Sequence, residues 1–98
     1  MPGKGKLATP MTDTQPRIAI VTAASKGIGA ACARQLATEG YALVLMARGE
    51  AVHGLAEELG GSAMQGDVTK ADDLERLVDH AMATHGRIDA LVANTGLS

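Results

Sequence analysis

Residues 18–37 read IAIVTAASKGIGAACARQLA. The run opens on a continuous apolar stretch, 18–21, as a strand buried on both faces would. It passes through a turn of small residues that carries Gly27 and Gly29. It then becomes a helix-like segment, 27–38, with Ile28, Ala31, Cys32 and Leu36 on one face and Gly40 as the stop. A strand that turns through a side-chain-poor corner into a helix aims backbone N–H groups and the positive helix end at one point. That arrangement suits a phosphate. It also suits a helix that simply packs close to a sheet, and a glycine pair alone does not choose between the two.

The same alternation continues outward. Residues 42–47 (ALVLMA) read as a second buried strand, and 50–59 as a second helix with Val52, Leu55, Ala56 and Leu59 inward and Gly60 at its end. A weaker strand is expected at 62–66. Thr69 is placed to cap a third helix, with Asp72 and Asp73 in its first turn to favour the dipole. Leu74, Leu77, Val78, Ala81 and Met82 form the clearest apolar stripe in the chain, and Gly86 ends it. A fourth strand is expected at 88–93. Short links between alternating strands and helices imply parallel strands with right-handed crossovers. The fold class expected is α/β, a three-layer, doubly wound parallel sheet, with β-α-β-α-β-α-β as the N-terminal half of a Rossmann-like domain over 17–98. Residues 1–16 are rich in Gly, Pro, Thr and Lys without periodicity and are expected to be a disordered tail, with Met11 as a second sensible start beside Met1.

Composition narrows the classes. Of 98 residues, 46% are apolar and 20% charged, a globular balance rather than a disordered one. A net charge of −2 offers no basic field for nucleic acid, and no apolar run reaches membrane-spanning length. A single cysteine forms no internal disulfide, and the expected setting is a reducing cytoplasm. Cys32 reads as a small core thiol on the buried face of the first helix. Met46, Met64 and Met82 read as core filler. His80 and His85 are badly spaced for one helical face, and His53 is on another helix, so no metal site is expected.

Three motifs in order carry a resemblance. Thr22-Ala23-Ala24-Ser25-Lys26-Gly27-Ile28-Gly29 follows the first strand, Asp67-Val68 follows the third, and Ala93-Asn94-Thr95-Gly96 closes the fourth. Over residues 17–98 the chain resembles the short-chain dehydrogenase/reductase family, whose patterns there are T-G-x-x-x-G-x-G, Asp-Val and N-N-A-G. The resemblance implies a dinucleotide cofactor held by Thr22, Ala24, Ser25, Lys26, Gly27, Ile28 and Gly29 around the pyrophosphate. It also implies Asp67 on the adenine amino group, the Val68 backbone on the ring, and Asn94 with Gly96 along the adenosine ribose side. The competing readings are a turn cap for Asp67 and a self-satisfied turn residue for Asn94. Ala23 departs from the pattern's first glycine. If that position requires positive φ, the alanine carries strain of about 1 kcal/mol. Ala93 and Thr95 depart from the pattern of the fourth strand.

NAD sites usually place a carboxylate at the end of the second strand to accept from the ribose 2′-OH. Here Ala47 and then Arg48 occupy that place, with Lys26 in the glycine turn nearby. A guanidinium fork matches a 2′-phosphate, so NADP(H) is favoured over NAD(H), the alternative being two ordinary surface cations. The missing carboxylate also weighs against FAD and S-adenosylmethionine. The absence of G-x-x-x-x-G-K-[ST] excludes a P-loop.

The family's catalytic Ser and Tyr-x-x-x-Lys lie beyond its fourth strand. The one tyrosine here, Tyr41, begins the second strand and is followed four residues on by Leu45. No catalytic residue is therefore assigned. The resemblance implies NADP-dependent carbonyl/alcohol oxidoreduction, with substrate bound only where a C-terminal half is present and with a homo-oligomer as the full-length form. The chain is expected to be a truncated cofactor-binding portion, inactive alone. The alternatives are a non-catalytic nucleotide-binding or interaction fragment, and a structural remnant without a ligand.

Overall fold

The computed structural model describes residues 16–24 and 26–94. The expected tail, apart from Pro16, lies outside them, as do Ser25, Thr95 and Gly96. Seven elements alternate: β1 (Ile18–Thr22), α1 (Gly27–Thr38), β2 (Ala42–Ala47), α2 (Ala51–Leu59), β3 (Ser62–Gln65), α3 (Ala71–His85) and β4 (Ala90–Val92). The four strands are parallel in the order β3-β2-β1-β4. The chain thus moves outward from β1 through β2 to β3, then returns to the far side of β1. That reversal puts a topological switch point between β1 and β4, where ligands of open α/β sheets bind beyond the strand carboxyl ends.

Every residue of β1 is buried, because the sheet is covered on both faces. Ala19, Val21, Leu43 and Leu45 face the α1–α2 side and pack with Ala30, Ala33, Val52, Leu55 and Ala56. Ile18, Ile20, Val44 and Met46 face the α3 side and pack with Leu77 and Ala81. The result is the three-layer, doubly wound sheet expected.

The inward face of α1 is not the expected one. Gly29, Ala30 and Ala33 are buried, Leu36 and Ala37 pack beside them, Ile28 is 74% exposed and Ala31 faces solvent. A helix held this close to a sheet selects the smallest side chains for its seam, and the larger apolar residue turns outward. Cys32 is accordingly half-buried rather than a core thiol. On α3 the stripe narrows to Leu77 and Ala81 with Leu74 alongside, and Val78 and Met82 are exposed. Met82 is therefore not core filler; Met46 is fully buried and Met64 packs against the α3-side core. β4 is shorter than expected, since only Ala90, Leu91 and Val92 find partners on β1.

The amino-terminal end of the sheet is tied shut. The Ile18 N–H donates to Asp89 Oδ2 at 2.8 Å, and the Asp89 N–H donates to the Ile18 carbonyl at 2.8 Å. Arg87 holds the same carboxylate by Nε at 2.8 Å and Nη2 at 2.7 Å. Those donors keep the Asp89 carboxyl below its ordinary range, the Arg87 hydrogen bond contributing most. The Arg17 guanidinium lies 4.5 Å over the Tyr41 ring at the same end, so the one tyrosine sits across the sheet from the switch point.

Candidate functional site

The β1–α1 corner is built by two backbone conformations. Ala23 has φ of +51° and Gly27 has φ of +63°. Glycine adopts this region freely, so Gly27 suits its place, and a Cβ there would meet open space. Ala23 carries the strain that the sequence raised as a condition. Its neighbour Ala24 is fully buried, with its N–H donated to the Met46 carbonyl at 3.2 Å.

Gly29 is required for a different reason from Gly27. A Cβ on Gly29 would overlap the Ala23 carbonyl oxygen and lie 3.0 Å from Asn94 Nδ2. The direction in which a Gly29 Cβ would point is therefore closed by the protein's own backbone. Gly29 lets the first turn of α1 seat against the corner, and it brings Asn94 beside that turn.

Thr22 explains how β4 joins the site. Its side chain is fully buried. The Oγ1 hydroxyl donates to the Asn94 carbonyl at 2.7 Å, with Val92 O at 3.3 Å, and accepts from the Asn94 N–H at 2.7 Å. Thr22 and Ala24 are both fully buried. They shape the corner from within.

The exposed rim is left to Lys26, Gly27 and Ile28. Lys26 is the N-cap of α1 in an extended conformation and places no side-chain acceptor over the first turn, which also contains no acidic residue. The first intrahelical bond there is Ala30 N–H to the Lys26 carbonyl at 3.4 Å. The N–H groups of Gly27, Ile28 and Gly29 belong to the set that no helix satisfies internally. With the dipole and the Lys26 charge they make a corner complementary to an anion.

Arg48 is exposed just past β2. Ala47 pairs with Gln65, so the ends of β2 and β3 sit side by side. Asp67 lies beyond β3 and caps its own turn: the Thr69 N–H and hydroxyl donate to Oδ1 at 2.9 and 2.6 Å. These bonds, with smaller help from Arg48 and Lys70, hold the Asp67 carboxyl below its ordinary range. Thr69 is thus a donor to Asp67, and Lys70 is the N-cap of α3. The Asp67 N–H donates to Asp73 Oδ2 at 2.8 Å. The turn-cap reading of Asp67 describes one oxygen; among the described residues Oδ2 accepts no hydrogen bond. Val68 is half-buried beside it.

The sequence reading missed a bridge. Gln65 Nε2 donates to the Arg48 carbonyl at 3.3 Å, and Gln65 Oε1 lies 3.1 Å from His53 Nε2 on α2. Residues 17 and 12 positions apart meet only once β2, β3 and α2 pack together, so no local pattern announces them. Among the described residues no group of three His, Cys, Asp or Glu side chains could hold a metal, and no helix is long and apolar enough to cross a membrane.

The family model for short chain dehydrogenase matches residues 17–98. The 1,6-dihydroxycyclohexa-2,4-diene-1-carboxylate dehydrogenase of Pseudomonas putida is 36% identical over 86 residues, covering 84% of this chain and 32% of that protein. The crystal structure of a metagenomic short-chain oxidoreductase in complex with NADP matches with a TM-score of 0.71 and 39% identity, over 83% of this chain and 39% of that one. An alcohol dehydrogenase from the archaeon Thermococcus sibiricus, complexed with 5-hydroxy-NADP, matches with a TM-score of 0.69 and 38% identity, over 86% of this chain and 39% of that one. The chain spans about a third of the length of the curated relatives it matches.

Proposed function

Because the chain belongs to the short chain dehydrogenase family, we propose that its β1–α1 corner binds NADP(H) for an oxidoreductase that interconverts a carbonyl and an alcohol. The observation that carries this reading is the pairing of an uncapped, acid-free α1 N-terminus with two exposed cations, Lys26 and Arg48. The first-turn N–H groups suit the pyrophosphate. Gly27 keeps the rim open where a backbone approach is needed. Arg48 supplies a planar fork for a 2′-phosphate, and no carboxylate stands at the end of β2 to accept from a 2′-hydroxyl. Asp67, kept ionised and with one oxygen to offer, suits the adenine amino group, beside the Val68 backbone. Asn94 borders the ribose side, fixed through its own backbone by Thr22.

When bound, the dinucleotide supplies the hydride. What these residues do is bind and orient it at the switch point. The family's catalytic Ser and Tyr-x-x-x-Lys have no counterpart in this sequence, so we assign residues 17–98 to the cofactor half of the site. Turnover of a carbonyl substrate then rests on residues outside 17–98.

The test is a calorimetric titration of NADPH and NADH against the chain and its Arg48→Asp variant. The wild type should prefer NADPH. The variant should lose NADPH affinity by about tenfold or more, since a charge-assisted contact is removed and a repulsion added. A wild type that prefers NADH contradicts the proposal.

A further inference from the structure

The Gln65 bridge does more than join two elements. The Arg48 carbonyl can only accept, so the Gln65 amide nitrogen must face it at 3.3 Å. That leaves Oε1 toward His53, and an amide oxygen also only accepts. The 3.1 Å contact is then a bond only if His53 Nε2 carries the proton. The bridge thus has one direction: His53 on α2 donates to Gln65, and Gln65 donates to the carbonyl of Arg48. Its far end grips the backbone of the residue whose guanidinium the nucleotide reading uses. Arg48 and Gly49 are exposed and lie between the end of β2 and Glu50, the N-cap of α2. Among the described residues no other side chain donates to the Arg48 carbonyl.

We propose that Gln65, oriented by His53, is a positioning residue that sets the Arg48 guanidinium toward the nucleotide's 2′-phosphate and so helps to fix the choice between NADPH and NADH. The proposal rests on the nucleotide reading above. Gln65 touches no ligand itself. An arginine on an untethered corner loses affinity by sampling orientations that a tethered one does not. Because both bonds of the bridge are solvent-exposed, the effect on affinity is modest.

The experiment compares NADPH and NADH affinities, by cofactor fluorescence, for the wild-type chain and for Gln65→Leu, His53→Leu and His53→Gln. The sequence contains no tryptophan to interfere. Gln65→Leu and His53→Leu should each lower the ratio of NADPH to NADH affinity about two- to fivefold, with NADH affinity unchanged. His53→Gln, which keeps a donor for Gln65 Oε1, should restore the wild-type ratio. A merely structural role would weaken both nucleotides together. Far-UV circular dichroism confirms folding for each variant, and the His53 pair decides the matter if Gln65→Leu fails to fold. Long-range proton–nitrogen NMR should find the neutral His53 ring protonated at Nε2, and an Nδ1–H tautomer would overturn the bridge. Normal NADPH preference in the wild type with an unchanged ratio in both leucine variants overturns the proposal alone. A wild type that binds neither nucleotide overturns the functional reading and this proposal with it.

Discussion

Of the three strand-to-helix corners at the carboxyl end of the sheet, those after β1 and β3 are finished differently. The corner into α3 brings its own carboxylates. Asp73 in the first turn accepts from the Asp67 N–H and from Arg76 Nη2 at 2.9 Å, Asp67 accepts twice from Thr69, and Asp72 adds a second carboxylate to the helix start. Both helices have a lysine at the N-cap and no side-chain cap bond, but α1 has no acid in its first turn. Both helices face the same shortage of partners for their first N–H groups. One corner answers the positive helix end with carboxylates of its own first turn. The other has no such carboxylate, which is the difference that the proposed nucleotide site draws on. The backbone shows where that difference was built: the α1 corner accepts a strained alanine and a forced close approach, whereas the positive-φ residues beside α3 are limited to the glycine that ends it.

The largest expected effect breaks the α1 corner outright. Gly29→Val puts a branched side chain into the Ala23 carbonyl and against Asn94 Nδ2, so the first turn can no longer seat. Overpacking against backbone should cost about 3 kcal/mol or more, read as a lower urea midpoint. Loss of nucleotide binding in this variant would then report a damaged corner as well as a blocked ligand. An unchanged midpoint would mean that α1 does not rest on Ala23.

A smaller change sharpens the same corner. Ala23→Gly relieves a φ of +51° in a residue with a Cβ. It should stabilise the chain by about 0.5–1 kcal/mol, the strain relieved being partly offset by the added freedom of the unfolded chain. A midpoint that falls would show that the alanine methyl contributes packing worth more than its strain.

The smallest effect belongs to the corner into α3. The Arg76 bond and the Asp67 N–H hold the Asp73 carboxyl below its ordinary value. A depressed folded-state pKa contributes stability above the unfolded value of 3.8, and that contribution is lost as pH falls through the folded value. Asp73→Asn should therefore be less stable than wild type at neutral pH, with the gap narrowing below pH 3.8. Urea midpoints at neutral and acid pH provide the check. A gap independent of pH would show that the carboxylate charge plays no part in the cap.

Sequence alone carried the fold a long way. The bounds of β2 and α1 and the closing glycines of α2 and α3 were legible because continuous apolar runs and helix stops are local signals. What local pattern hid was set by distance of approach. Ranking by hydrophobicity put Ile28 inward on α1, whereas the closeness of helix to sheet selected Gly29, Ala30 and Ala33. The motif names Thr22 but does not reveal its bonds with Asn94, 72 residues away. β4 was expected to run over 88–93, yet Asp89 is spent on the start of β1 rather than on extending the strand. The Gln65 bridge to His53 and Arg48 was illegible for the same reason: it joins three elements that become neighbours only in the folded sheet.

The proposed nucleotide site lies at the α1 corner and not at the α3 corner. Amide proton–nitrogen correlation spectra recorded through an NADPH titration test it most directly. Saturable shifts are expected at Gly27, Ile28, Gly29 and Arg48, with the first-turn amides of α3 at Ala71, Asp72 and Asp73 unmoved. Shifts confined to the first turn of α3, or binding that leaves Gly27, Ile28 and Gly29 still, would contradict it.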